Sequence, residues 1–143
     1  MYRKVLLCYD GSHEGRRALR QGADVVVCMK SDAHLLAICQ SLVSSSIPEA
    51  VTPQLVERED SRAQALLDEG VQWLRDRGVN AEGSLEYGSA VDCIVATAQG
   101  IGADLIVLGH KHRGPLARWW SASDEESLLA RVTCSILVAA SDE

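Results

Sequence analysis

Leu105-Ile106-Val107-Leu108 is apolar without a break and ends at Gly109. A strand with one face in water would carry a polar residue at every second place, so this run reads as a strand covered on both faces. Val5-Leu6-Leu7-Cys8 and Leu35-Leu36-Ala37-Ile38 have the same character, and Cys134-Ser135-Ile136-Leu137-Val138 nearly so. Strands of this kind belong to parallel sheets layered between helices. With no Phe and only 4% aromatic residues, the core must be built from Val, Leu, Ile and Ala, the small branched packing that such sheets use.

The segments between these runs have helical character. Asp10-Gly11-Ser12 reads as a turn and a helix cap, and Ala18, Leu19, Gly22, Ala23, Val25 and Val26 predict a helix over about 13–28. The second strand is expected from His34 to Cys39. Residues 41–58, with three consecutive serines, Pro48 and Pro53, carry little periodicity and read as a long connection. Ala63, Leu66, Leu67, Gly70, Val71 and Leu74 share one face of a second helix that Gly78 stops. Val79 to Tyr87 alternates as a strand near the sheet edge, and Gly88-Ser89 opens a third helix containing Val91, Ile94, Val95 and Ala98. After the strand at 103–109 and a loop, a fourth helix over about 123–132 leads to a last strand at 134–139. This βαβαβαβαβ order predicts a single doubly wound α/β domain over residues 1–143, with helices on both faces of a five-stranded parallel sheet.

A net charge of −6 and a pI near 5.2 exclude sequence-independent nucleic-acid binding, which rests on a basic face. No apolar stretch approaches the ~20 residues of a membrane span, and Asp10 interrupts the first run too early for a signal peptide. A cytoplasmic protein without a membrane partner is expected. The five cysteines are odd in number, form no C-x-x-C pair and mostly sit in apolar runs, which predicts buried free thiols.

Val5 to Ser12, Leu35 to Ile38, Gly88 through Ile94, Ala98 to Gly109 and Cys134 to Val138 together resemble the universal stress protein family over essentially the whole chain. Ser135 stands where that family usually has Pro. The resemblance implies the strand order 3-2-1-4-5 and a crevice for ATP or AMP at the carboxyl ends of the strands. It also implies that Asp10 contacts the nucleoside and that the backbone of Ile38 meets the adenine. In the family the fourth strand's Gly is followed by two residues, a second Gly, nine residues and Gly-Ser or Gly-Thr. Counted from Gly109, this chain has His112 and Ala122 at the two later glycine positions and keeps Ser123. The candidate binding residues are therefore Asp10, Ile38, Leu108, Gly109, His112, Arg113, Ala122 and Ser123. Glycines there permit positive φ and close approach of backbone amides to phosphate, which His112 and Ala122 obstruct. Asp124 and Glu125 add like charge where a polyphosphate would arrive. Weak binding of ATP or AMP, with no cofactor required, is the expectation.

Other readings stand beside these. Asp10 has an equally good role in satisfying turn amides and the nearby helix amino terminus. Ser123-Asp124-Glu125-Glu126 is a capping-box pattern with Ser123 as N-cap. His110, Lys111, His112, Arg113 and Arg118 form the one basic cluster of an acidic chain, read first as a solvated loop pairing with Asp124, Glu125 and Glu126 and second as a side-chain phosphate site. His110 and His112 alone do not make a metal site. Trp119-Trp120 reads first as core packing and second as a partner surface or lid. No nucleophile, base and orienting acid stand out, so no catalytic residue is assigned and a non-enzyme is expected.

The apolar closing strand would form a sheet edge that needs covering, and the resemblance implies a homodimer across Ser135 to Ala139. Three functions follow: a dimeric interaction module of the stress response with weak or lost ATP binding, an ATP- or AMP-binding regulator with altered phosphate contacts, and a small hydrolase or transferase on a related fold. The last lacks a catalytic set. Further protein partners are unspecified.

Overall fold

The computed structural model describes residues 2–39, 53–111 and 122–141. Strand β1 (Lys4–Tyr9) is followed by helix α1 (His13–Met29), β2 (Asp32–Cys39), α2 (Pro53–Asp76) and β3 (Ala81–Tyr87). Helix α3 (Ala90–Ile101), β4 (Leu105–Lys111), α4 (Ala122–Arg131) and β5 (Ser135–Ser141) complete the order. All neighbouring strands are parallel, and the sheet runs β3-β2-β1-β4-β5 as expected.

The alternation of β1 shows why its sequence has no polar positions. Val5, Leu7 and Tyr9 point into a core with Leu19, Ala23 and Val26 of α1 and Leu67, Val71 and Leu74 of α2. Leu6 and Cys8 point the other way, against Val91, Ile94, Val95 and Ala98 of α3 and Leu128 of α4. Both sides of the strand are buried, so the period of two is hidden by apolar residues on each face. Asp104 joins the central strands at their start, accepting from the backbone N–H groups of Arg3 at 2.8 Å and Lys4 at 3.1 Å.

Three boundaries differ from the sequence reading. Helix α2 begins at Pro53, so the connection expected through 58 is shorter. Proline suits a first helical position, and the described side chains of the first turns, at Pro53, Gln54, Glu57 and Arg58, are exposed, leaving no apolar face to reveal the helix. Strand β4 continues past Gly109 through His110 and Lys111, paired with Ala140 and Ser141 of β5. Helix α4 begins at Ala122, which puts Ser123 inside the first turn instead of at the N-cap and moves Glu126 out of the reciprocal capping position.

The thiols are free, but burial holds for Cys8 alone. Cys28 is exposed and Cys39, Cys93 and Cys134 are half-buried. An apolar run on a helix or at a strand end need not lie wholly inside.

Candidate functional site

The sheet changes winding direction between β1 and β4: β1 leads outward through β2 to β3, and β4 leads to β5 on the other side. Open α/β sheets bind ligands in the crevice at the carboxyl ends of the strands flanking such a point. Asp10 leaves β1 there, half-buried. Its Oδ1 accepts the Ser12 N–H at 3.0 Å and also the Ser12 hydroxyl. Ser12 in turn caps α1, its Oγ accepting the Gly15 N–H at 3.0 Å. Asp10 is thus engaged in the turn and lies over the first turn of α1, where a negative charge is favoured by the helix dipole. Gly11 bridges the two at φ 78°, a conformation that disfavours any side chain, and a Cβ there would lie 2.7 Å from the Cys39 sulfur.

Ile38 and Leu108 flank this point and belong to the core cluster on the α3 and α4 side, 2% and 4% exposed. Tyr9 is in register with Ala37, so Asp10 and Ile38 follow at the same height; Cys8 is in register with Leu108. Gly109 is buried for a reason the sequence did not disclose. A Cβ there would lie 2.9 Å from the Leu19 Cβ and 3.0 Å from the Gly15 carbonyl oxygen, so the glycine lets α1 settle on β4. Ala122 and Ser123 form the start of α4, with Asp124 at the third helical position. His112, Arg113, Arg118, Trp119 and Trp120 lie outside the described residues.

The expectation of a single basic cluster does not hold. Arg16 and Arg20, four residues apart on one face of α1, meet Arg77 around Trp73 of α2. Arg16 is 6% exposed and pairs with Glu69 at 2.7 Å. Burial lowers the proton affinity of Arg20, and Arg16 and Arg77 lower it further. The i, i+4 spacing of the two arginines was the available signal; their convergence on Trp73 is tertiary and leaves no trace in local sequence. Among the described residues no group of three or more His, Cys, Asp or Glu side chains could hold a metal ion, and no helix is long and apolar enough to cross a membrane.

The comparisons with known proteins agree with this architecture. The model of the universal stress protein family matches residues 1–140. A protein of Staphylococcus haemolyticus named as a universal stress protein is 30% identical over 145 residues, spanning 99% of this chain and 87% of the relative. A solved family structure from Burkholderia pseudomallei superposes with a TM-score of 0.69 at 21% identity, over 96% of this chain and 95% of the other. The universal stress protein from Archaeoglobus fulgidus, solved in complex with dAMP, gives a TM-score of 0.61 at 17% identity, over 96% and 97%. Matched along nearly its whole length by the family model and by its relatives, this chain belongs to the universal stress protein family.

Proposed function

We propose that this chain is a one-domain interaction module of the stress response that works as a homodimer, binds adenine nucleotides weakly and carries out no catalytic step of its own. The observation that carries the reading is the contrast between the two edges of the sheet. Strand β3 presents exposed Glu82 and Glu86, whose charges discourage a neighbouring strand. Strand β5 leaves Leu137 38% and Val138 49% exposed, beside Leu129 of α4 at 67%. Unpaired backbone groups edged by apolar side chains suit a second copy of the same strand, across Ser135 to Ala139, related by a two-fold axis.

Weak nucleotide binding follows from the sequence at the switch point. His112 and Ala122 put side chains where glycine amides would approach a phosphate, and Asp124 adds a carboxylate to the first turn of α4. A second reading, favoured by the dAMP held in the Archaeoglobus fulgidus structure, keeps a nucleoside monophosphate as regulator, contacted by Asp10, Ile38, Leu108, Gly109 and Ser123 with Arg113 on the phosphate. AMP, with fewer charges, suffers less from Asp124 than ATP.

Calorimetry with ATP and magnesium, and with AMP, tests this. Weak binding of ATP is expected, strengthened about tenfold, or ~1.4 kcal/mol, by His112→Gly with Ala122→Gly. Tight ATP binding by the unaltered protein, undiminished in Asp10→Ala, would overturn both the weakness and the placement of the site. Tight AMP binding with weak ATP binding selects the second reading.

A further inference from the structure

A cavity of about 270 Å³ opens between α1 and α2, on the side of the sheet away from α3 and α4. Leu7 and Leu35 of the sheet, with Leu19 and Leu74 of the helices, give it apolar walls. Gly70 keeps it open against the sheet, because a Cβ there would lie 2.6 Å from the Leu35 Cδ2. Arg16, Arg20 and Trp73 complete the lining.

The polar groups at this place are mismatched. The buried Arg16 Nε has no hydrogen-bond partner, and neither has the buried hydroxyl of Tyr9, two residues beyond Leu7 on the same face of β1. Both donate, and a buried donor without an acceptor is costly. The charge is equally one-sided: Arg20 feels Arg16, Arg77 and Arg17, against Glu69 as the opposing acid. Guanidinium groups of Arg77 and Arg20 lie 3.7 Å and 5.4 Å from the Trp73 ring centre, which fixes them at the cavity's rim. What this place lacks is an anionic acceptor on an apolar body.

We propose that the cavity is a second ligand site, separate from the switch-point crevice, which takes a small carboxylic acid with a short hydrocarbon chain. The carboxylate meets the guanidinium groups of Arg16 and Arg20, and the chain lies among the leucines. The volume falls just below the range of drug-sized pockets, which selects a fragment-sized ligand. Guanidinium and carboxylate match in planar geometry as well as charge.

Hexanoate is the probe, with hexanol and hexylamine as neutral and cationic counterparts, titrated into the full chain by calorimetry and by NMR of the Trp73 indole. Saturable hexanoate binding is expected, at least tenfold tighter than either counterpart and unaffected by Asp10→Ala. Arg20→Glu alters an exposed side chain, so the fold persists, verified by circular dichroism, while hexanoate affinity falls at least tenfold. No hexanoate binding, equal binding of hexanol or hexylamine, or full affinity in folded Arg20→Glu would each overturn the proposal.

Discussion

At Gly109 the absence of one methyl group governs how α1 meets the sheet. The same holds at Gly22, where a Cβ would lie 2.5 Å from the Val107 Cγ1. Gly109→Ala is expected to lower stability by about 1–3 kcal/mol, because Leu19 and the α1 backbone must move to admit the new carbon. Gly100, in exposed α3, meets nothing within 4 Å, and Gly100→Ala should raise stability by about 0.4–1 kcal/mol. Urea denaturation of both variants checks this; equal effects would refute the packing role. His34 supplies a pH dependence. It lies half-buried beside Ser84, with its Nε2 2.8 Å from the Ser84 hydroxyl, and burial followed by the Lys4 charge lowers its proton affinity. The unfolded chain therefore binds the proton first. Stability is full above the unfolded value of about 6.5 and declines as pH falls below it, until the folded ring also protonates. Denaturation midpoints from pH 8 to pH 5 should show this slope, and His34→Gln should reduce it.

Among the elements, legibility in sequence followed burial. Strands β1, β2 and β4 were plain because residues such as Leu6, Leu7, Leu36 and Ile106 are buried on both sides, leaving unbroken apolar runs. Helix α3 was equally plain, since Ser89 caps it and Val91, Ile94, Val95 and Ala98 form one buried face. The start of α2 was not, because its exposed first turns offer no period to read. At the candidate site, Asp10 and Ser12 were legible from turn chemistry, and their mutual hydrogen bonding shows the turn role directly. The packing duty of Gly109 was hidden, because what a glycine approaches is decided by α1, nearly a hundred residues earlier in the chain. The arginines around Trp73 were hidden for the same reason.

For the whole molecule, the two sheet edges lead to different behaviour in solution. Val138→Lys places a charge on a side chain already half exposed at the β5 edge, so the fold should survive while sedimentation shifts from dimer to monomer. Ile136 is half-buried against the α3 and α4 core, and Ile136→Lys should damage the fold itself. An unaltered protein that sediments as a monomer at high concentration would end the dimer proposal. The sheet's order also sets a timetable for its making. Strand β1 finds β2 within the first forty or so residues, yet its other neighbour is distant: Lys4 bonds to Asp104, 100 residues later. At a synthesis rate of about 5–20 residues per second, the interval on the ribosome is on the order of 5–20 s. Throughout it, the strand that will be the most enclosed in the finished protein has one margin open, and the centre of the sheet is completed after its β2–β3 side has been translated.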